Sequence, residues 1–258
     1  MKSFSFRCEY LYILREQNFM ELELNKVYNC DCMELMANMP SESIDLIVTD
    51  PPYKVTSRGG SGTMGGYWKG EKAKKGTIFN FNDISCRSYL PEFYRILKDR
   101  SILYLMCNHT NLQEMLNVGT ACGFKFVKCL IWEKGNKICG RYYMNCFEYI
   151  ILFRKGGDKP IKNCGTPDIL KVPIKKMKDS SGKNLHDTEK PVDLMKILIE
   201  NSSDEGEAVF DPFMGSFTTA VACLKLKRKF LGAEIDEEHY KNGIERLKNE
   251  KTQISMFD

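Results

Sequence analysis

The stretch Ile44-Asp45-Leu46-Ile47-Val48-Thr49-Asp50-Pro51-Pro52-Tyr53 decides the fold. Its first six residues form a compact apolar run, which is typical of a buried strand, and the two prolines that follow end it. The prolines also remove two backbone N–H donors and leave their carbonyl oxygens as acceptors. We therefore predict a buried strand over residues 44–49, with Asp50 and a group of acceptors at its carboxyl end.

A second stretch, Val209-Phe210-Asp211-Pro212-Phe213-Met214-Gly215-Ser216-Phe217-Thr218-Thr219-Ala220, predicts a strand, a tight turn and a helix. Such a turn lets the backbone approach a ligand while the helix N–H groups point at it. The G-x-G-x-x-G pattern is absent, so a pyrophosphate cofactor is disfavoured. Glu234 lies 23 residues after Asp211, close to the roughly 20-residue offset at which an acidic residue reaches ribose hydroxyls.

Short apolar runs alternate with helical stretches along most of the chain. We predict strands at 44–49, 102–107, 126–132, 147–153, 208–210 and 230–235, and helices at 91–97, 112–121, 191–200, 217–226 and 237–248. This alternation predicts an α/β fold with a doubly wound, mostly parallel sheet and helices on both faces. We expect four aromatic residues to lie in the core: Phe124, Phe126, Trp132 and Phe147.

The segment Asp50-Pro51-Pro52-Tyr53 has the chemistry to bind a planar base that carries an amine. Ligands of open α/β sheets bind at the carboxyl ends of the strands, where this segment is predicted to lie. The Asp50 carboxylate and the Pro51 carbonyl would accept the hydrogens of an exocyclic amine, and the base would stack on Tyr53. The alternative is a purely structural role, in which the strand simply ends in a Pro-Pro turn.

The composition fits one large α/β domain, or one domain with a small insert. The chain has 258 residues, 43% of them hydrophobic and 28% charged, with a mean hydropathy of −0.37. These values exclude a disordered chain, and no apolar run approaches the ~20 residues that span a bilayer. The eleven cysteines include no C-x-x-C pair, so we expect buried thiols in a reducing cytosol and no metal site.

The net charge of +4 hides an uneven distribution. Residues 54–78 carry six basic residues against one acidic, and residues 154–190 carry ten against five, so each segment has a net charge of +5 and the remainder sums to 4 − 10 = −6. Basic segments on an acidic remainder suggest a polyanionic partner. Charge alone leaves open a second explanation, two solvated lysine-rich loops.

These motifs resemble those of the amino-methyltransferases that use S-adenosylmethionine (SAM) on DNA. Asp50-Pro51-Pro52-Tyr53 resembles their catalytic motif and Asp211-Pro212-Phe213-Met214-Gly215-Ser216 their cofactor motif, in the order of the circularly permuted β class. Three further segments are also similar to the family's: Asn29 to Glu34, His186 to Pro191, and Leu231 to Asp236 followed by Tyr240. The family usually has a second glycine where Phe217 stands, and this side chain could crowd the cofactor or repack the helix.

The resemblance implies a Rossmann-like fold and transfer of a methyl group from SAM to the N6 amine of a flipped adenine in a short site of duplex DNA. It implies a catalytic group of Asp50, Pro51, Pro52 and Tyr53. It implies cofactor contacts from Asp31, Cys32, Asp50, Thr188, Lys190, Asp211, Pro212, Phe213, Gly215, Ser216, Glu234 and Ile235. The candidate DNA-binding residues are Lys54, Arg58, Lys69, Lys175, Lys176 and Lys178.

We expect an N-terminal extension (1–19), a catalytic half (20–153), a basic insert for target recognition (154–185) and a cofactor-binding half (186–258). We expect a cytoplasmic location, because the cysteines are interpreted as reduced thiols. A homodimer and a cognate restriction nuclease on a separate chain remain open. So do two alternative functions: a cytosine-N4 or RNA amino-methyltransferase, and a non-catalytic subunit that binds cofactor or nucleic acid.

Overall fold

The computed structural model describes residues 22–52, 84–138, 142–174 and 189–255. In these ranges the strands are β1 (Lys26–Tyr28), β2 (Ile44–Thr49), β3 (Leu97–Cys107), β4 (Lys125–Ile138), β5 (Asn145–Arg154), β6 (Ile169–Lys171), β7 (Ala208–Asp211) and β8 (Lys229–Ala233). The helices are α1 (Cys32–Ala37), α2 (Cys86–Ile96), α3 (Leu112–Ala121), α4 (Val192–Ser202), α5 (Thr218–Lys225) and α6 (Glu237–Ser255).

All of these strands form one sheet in the order β1-β8-β7-β2-β3-β5-β4-β6. The pairs that β5 makes with β3 and β4 are antiparallel, and the other pairs in the described sheet are parallel. The predicted mostly parallel sheet is therefore confirmed. The strands β2, β3, β4, β6, β7 and β8 run in the same direction and end at one edge, which we call the carboxyl edge.

The helices cover both faces of the sheet, as predicted. On one face the core contains Met36 from α1, Phe93 from α2 and Met115 from α3. On the other face it contains Leu198 from α4 and Val221 from α5. Strands buried on both faces read as continuous apolar runs, which is why β2 was recognisable from its sequence.

The direction of the chain through the sheet reverses between β7 and β2. From β2 the chain steps to β3 on one side, and from β7 it steps to β8 on the other, while β2 and β7 lie side by side. Such a switch point opens a crevice at the carboxyl ends of the two strands, where open α/β sheets bind ligands. The residues at these two ends are Thr49, followed by Asp50, and Asp211.

The structure corrects several predicted boundaries. The helix predicted at 91–97 begins at Cys86, because Ser85 caps it by accepting the Arg87 N–H, and it contains Pro91. The strand predicted from residue 102 begins at Leu97. Two short elements near the start, β1 and α1, and the three-residue β6 were not predicted, since each is too short to show a hydrophobic period.

Two of the four aromatic residues expected in the core lie at the surface instead. Trp132 and Phe124 are buried, but Phe126 is 48% exposed and Phe147 is 39% exposed. Both exposed rings lie on the antiparallel pair β4 and β5, toward the end of the sheet that β6 forms. Among the helices in the described ranges, none is both long and apolar enough to cross a membrane.

Candidate functional site

Asp50 follows the last residue of β2, at the carboxyl edge beside the switch point, as predicted. Its Oδ2 forms an ion pair with Lys190. Its Oδ1 is buried, and none of the residues that the structure describes donates a hydrogen bond to it. Burial raises the pKa of Asp50, and the charge of Lys190 offsets part of that rise. A buried acceptor without a donor is costly, so Oδ1 is available to a donor from a ligand.

Asp211 is buried at the end of β7, and its carboxylate holds the turn that follows. Oδ1 accepts from the Thr49 hydroxyl at 2.7 Å and from the Phe213 N–H at 3.1 Å, while Oδ2 accepts from the Thr219 hydroxyl at 2.6 Å. Burial raises the pKa of Asp211 to about 6, and these hydrogen bonds limit the rise. The carboxylate thus joins β2, the turn and the start of α5.

The turn after β7 brings its glycine against the acidic residue that follows β8. Glu234 Oε2 accepts from the Gly215 N–H at 2.7 Å, and its Oε1 accepts from the Asp236 N–H at 2.9 Å. Gly215 has a φ of +52°, a left-handed conformation that favours glycine. Burial raises the pKa of Glu234. The sequence prediction that the turn and Glu234 share one site is consistent with this geometry.

The segment after β1 reaches the same place because β1 pairs with β8. Asn29 Nδ2 donates to the Glu234 carbonyl oxygen at 2.7 Å. Asp31 caps α1 by accepting the Met33 N–H at 2.6 Å, and Cys32 is buried, which raises the pKa of its thiol to about 12. Asn29 was not among the predicted site residues.

Phe217 repacks the helix and does not point into the turn. Its ring is fully buried, and it lies 6.0 Å from the Tyr240 ring, centroid to centroid, with an edge-on geometry. A side chain at Gly243 would meet the Phe217 ring at 2.3 Å, so Gly243 makes room for it. Phe217 has a φ of +60°, a left-handed conformation that favours glycine.

A buried cluster of four charged side chains adjoins Asp50, and we call it the charge cluster: Asp50, Lys134, Glu148 and Lys190. Besides its ion pair with Asp50, Lys190 Nζ lies 3.4 Å from Glu148 Oε2. Lys134 Nζ lies 2.5 Å from Glu148 Oε1. Burial alone would raise the pKa of Glu148, but the charges of Lys190 and Lys134 outweigh it, and the pKa falls below its ordinary value.

A second buried ion pair connects the segment before α4 to the turn after β7 (residues 212–217), which we call the cofactor turn because the sequence predicts that it binds the cofactor. Glu189 Oε1 lies 2.8 Å from Arg246 Nη1, and both side chains are less than a tenth exposed. The same Arg246 Nη1 donates to the Ser216 carbonyl oxygen at 2.8 Å. Arg246 lies on the amphipathic helix α6, where nothing in the sequence distinguishes it from a surface arginine.

Several predicted residues lie outside the described ranges: Tyr53, Lys54, Arg58, Lys69, Lys175, Lys176, Lys178 and Thr188, together with the expected extension 1–19. The remaining predicted residues lie at the carboxyl edge, on or beside the elements that meet at the switch point. Sequence reasoning missed Glu148 and Lys134. A signal existed for Glu148, because it is a charged residue at the start of the apolar run of β5.

The described part of the second basic segment has little unpaired positive charge. Four of its basic side chains face acidic ones: Arg154 with Asp158, Lys155 with Glu42, Lys162 with Asp204, and Lys171 with Glu133. Lys155 is also buried and donates to the Leu97 carbonyl oxygen, far from the carboxyl edge. Ile174, the last described residue before Lys175, lies at that edge, where its N–H bonds the Lys134 carbonyl.

The arrangement suits a cationic ligand and an amine better than a metal ion. The crevice gathers carboxylates from Asp50, Asp211 and Glu234; threonine hydroxyls and a backbone N–H bind Asp211, and backbone N–H groups bind Glu234. Within the described ranges, no group of three or more histidine, cysteine, aspartate or glutamate side chains could hold a metal ion.

Comparisons with known proteins agree with these features. A family model described as DNA methylase matches residues 44–245. Type II methyltransferase M2.MboI of Moraxella bovis is 29% identical over 238 residues, covering 82% of this chain and 83% of that protein. Putative methylase YubD of Escherichia coli (strain K12) is 30% identical over 221 residues, with 84% and 87% covered. DNA adenine methyltransferase YhdJ of the same organism is 26% identical over 257 residues, with 87% and 83% covered.

Solved structures share the fold at lower identity. The M1.HpyAVI–SAM complex superposes with a TM-score of 0.62 at 20% identity, covering 86% of this chain and 98% of that one. The cytosine-N4-specific PvuII DNA methyltransferase superposes with a TM-score of 0.66 at 16% identity, covering 85% and 84%. At these identities the likeness supports the α/β architecture alone.

Proposed function

Since the chain belongs to the DNA methylase family, we propose that it transfers a methyl group from SAM to the N6 amine of adenine in duplex DNA. The single observation that carries this proposal is Asp50. It lies at the switch point next to Asp211, and its buried Oδ1 has no donor among the described residues.

The crevice between β7 and β2 fits the cofactor. The Gly215 turn and the Glu234 carboxylate come from the places where such folds bind the nucleoside part of a ligand, and Asn29 is bonded to the Glu234 backbone beside them. The carboxylates of Asp50 and Asp211 favour a nearby positive charge, which the sulfonium of SAM carries. When bound, SAM supplies an activated methyl group with a neutral thioether as the leaving group.

Asp50 and the Pro51 carbonyl have the chemistry to orient the target amine. An aromatic amine is a poor nucleophile because its lone pair is delocalised into the ring. Two acceptors that bind its hydrogens draw the nitrogen toward tetrahedral geometry and aim the lone pair at the methyl group. The catalytic effect is positioning and electrostatics. Asp50 need not be a strong base, because the nitrogen becomes acidic only after it is methylated.

Adenine is the base that we propose, for two reasons. The first residue of the motif is Asp50, which resembles the adenine-N6 type of the family, whereas a serine there would resemble the cytosine-N4 type. A relative is also named as a DNA adenine methyltransferase. Cytosine N4 is the second candidate, because the same acceptors would bind its amine and the fold also resembles that of a cytosine-N4-specific enzyme.

Duplex DNA as the substrate requires that the base leave the helix, at a cost of a few kcal/mol. We propose that stacking on Tyr53 returns about 1–3 kcal/mol of this cost. We also propose that the two basic segments, including Lys54, Arg58, Lys69, Lys175, Lys176 and Lys178, bind phosphates, which gives affinity without sequence recognition. The domain boundaries at 20–153, 154–185 and 186–258 are part of the same proposal.

We place this activity in the cytoplasm, where the DNA is, and in a restriction–modification setting, which the type II names of the relatives support. A homodimer and a separate nuclease remain open parts of this proposal. The alternative of a non-catalytic binding subunit rested on Phe217, and the packing of its ring on α6 supports the catalytic proposal over that alternative.

The test is a methyl-transfer assay with isotope-labelled SAM and unmethylated DNA, with Asp50→Ala as the control. Digestion of the product DNA to nucleosides should give N6-methyladenine. A product that contains only N4-methylcytosine would replace adenine with cytosine. If the wild-type protein binds SAM and DNA but transfers no label, the chain is a binding subunit.

A further inference from the structure

The four side chains of the charge cluster come from four separate parts of the chain. Asp50 follows β2, Lys134 lies on β4, Glu148 lies on β5, and Lys190 precedes α4. Each side chain is less than a quarter exposed, and the two lysines are about a tenth exposed. Buried ions are tolerated when they are paired, and here two carboxylates face two ammonium groups so that the formal charge is zero.

Glu148 is at the centre of this cluster. Its Oε1 forms an ion pair with Lys134 Nζ at 2.5 Å. Its Oε2 lies 3.4 Å from the Nζ of Lys190, the same nitrogen that pairs with Asp50. Lys190 is therefore hydrogen-bonded to Asp50 Oδ2 and is attracted to Glu148 by an ion pair that makes no hydrogen bond. Within the described ranges Glu148 and Asp50 are joined by their shared partner Lys190, and the charge of Glu148 also raises the pKa of Asp50.

Trp132 gives the cluster a rigid base. It lies directly opposite Glu148 in the β4–β5 register, and its indole N–H donates to the Val172 carbonyl oxygen at 2.7 Å. The ammonium groups of Lys134 and Lys190 lie 5.6 Å and 5.8 Å from the centroid of its ring. These are cation–π distances, so the ring and the Glu148 carboxylate together fix both lysines.

We propose that Glu148 is a positioning residue for methyl transfer: it holds Lys190 so that the ammonium binds only Oδ2 of Asp50 and leaves Oδ1 for the target amine. This inference rests on the proposed function. Without the Glu148 charge, Lys190 loses one of the two carboxylates with which it pairs in the described ranges, and its ammonium shifts toward Asp50, where it can engage both oxygens. The amine then loses the acceptor that aligns it.

The charges around Asp50 also predict how its pKa responds to the loss of Glu148. The pKa of Asp50 is raised by burial, Lys190 lowers it, and the Glu148 charge raises it. Removing the Glu148 charge leaves the charges of Lys190 and Lys134 unopposed by it, so the pKa of Asp50 falls. Because transfer needs Asp50 ionised, the acidic limb of the rate profile moves to lower pH. A purely structural role for Glu148 would leave this limb in place.

The experiment uses four variants of the full chain: Glu148→Gln, Glu148→Asp, Lys190→Met and the Glu148→Gln/Lys190→Met double variant. Glu133→Gln is the matched control, because Glu133 is a half-exposed carboxylate on β4 that pairs with Lys171 at 3.9 Å and is not a member of the charge cluster. Single-turnover transfer is measured against pH at saturating SAM and DNA, with thermal melting and SAM binding for each variant.

We expect Glu148→Gln to slow transfer by about 10²-fold, the typical cost of a misplaced reacting group, with SAM affinity unchanged and the acidic limb at lower pH. Glu148→Asp should restore part of the rate, and Glu133→Gln should match the wild type. The double variant should be no slower than Lys190→Met, because Glu148 acts through Lys190. An additive loss in the double variant, or an unmoved acidic limb, overturns the inference.

Failure of the proposed function gives a different result. A wild-type chain that transfers no methyl group overturns the proposed function, and the positioning inference with it. An active wild type with a Glu148→Gln rate within twofold of it overturns the positioning inference alone. If Glu148→Gln melts below the assay temperature, the transfer rates of Glu148→Asp and Lys190→Met are compared instead. A faster rate in Glu148→Asp supports the positioning inference, and an equal loss of rate in both variants overturns it.

Discussion

The Thr49 hydroxyl donates a hydrogen bond to Asp211 Oδ1 at 2.7 Å, and this bond joins the ends of β2 and β7. Thr49 immediately precedes Asp50, and Asp211 begins the cofactor turn. The bond therefore fixes the distance between the residue that would bind the amine and the residues that would bind the methyl donor.

We predict that Thr49→Val, which removes the hydroxyl and keeps the shape, weakens both stability and SAM binding. Asp211 loses a donor in a buried place, so unfolding should become easier by about 1–3 kcal/mol. Chemical denaturation and titration calorimetry measure the two effects. Thr49→Ser retains the hydroxyl and should resemble the wild type; equal losses in both variants would mean that packing of the methyl group, and not the bond, matters.

Asp211 predicts a pH dependence of stability. Its pKa is about 6 in the folded chain against 3.8 for an ordinary aspartate, so the folded state binds more protons between these values and the free energy of unfolding falls as the pH rises through them. Each pKa unit corresponds to about 1.4 kcal/mol, so the ionised carboxylate costs on the order of 3 kcal/mol above pH 6.

The variant Asp211→Asn separates this effect from the titration of other carboxylates. It cannot ionise, so the difference in unfolding free energy between variant and wild type should change between pH 4 and pH 6.5 and be constant above. Denaturation curves over that range provide the measurement. A difference that stays constant throughout would contradict the raised pKa.

Phe217 should contribute to stability and not to cofactor binding. Removal of a buried phenylalanine ring costs about 3–5 kcal/mol, and glycine relieves about 1 kcal/mol of left-handed backbone strain. Phe217→Gly should therefore destabilise the fold by about 2–4 kcal/mol, measured by chemical denaturation, with SAM affinity unchanged under native conditions. A gain in SAM affinity would show that the ring crowds the cofactor after all. Phe217→Leu, which keeps an apolar side chain against Gly243, should lose less.

The ion pair between Glu189 and Arg246 should be costly to break from either side. Arg246→Met leaves Glu189 without this partner and the Ser216 carbonyl without a donor, so we expect a loss of about 3–5 kcal/mol, visible as a lower denaturation midpoint. The double variant Glu189→Leu/Arg246→Met removes both charges and should recover part of the loss. No recovery would indicate that the hydrogen bond to Ser216 accounts for the effect.

The DNA proposal predicts a salt dependence. Replacing Lys175, Lys176 and Lys178 with alanine should weaken DNA binding and reduce the slope of log K against log salt by about 0.9 for each lost phosphate contact. Fluorescence anisotropy with duplex DNA at several salt concentrations measures the slope. Lys128→Ala and Lys162→Ala serve as controls, since both lysines are paired with aspartates. An unchanged slope in the triple variant would refute the phosphate role.

The fold and the two motif loops could be predicted from the sequence because their signals are local. An apolar run that ends at Pro51 marks β2, and the spacing between Asp211 and Glu234 marks the cofactor turn. The supporting residues could not be predicted, because each acts across a long sequence separation. Arg246 reaches Ser216 in the turn after β7 from α6, and Glu148 meets Lys190 only once β5 and the segment before α4 are in place.

The side-by-side placement of β2 and β7 also sets the order in which the protein can mature. Thr49 and Asp211 are 162 residues apart, and a ribosome that adds about 5–20 residues per second needs on the order of ten seconds to travel between them. Throughout that interval β2 has an unpaired edge, which is open to wrong partners and to chaperones. An incomplete chain cannot form the crevice, so each molecule gains the capacity to hold its methyl donor only after β8 has been synthesised.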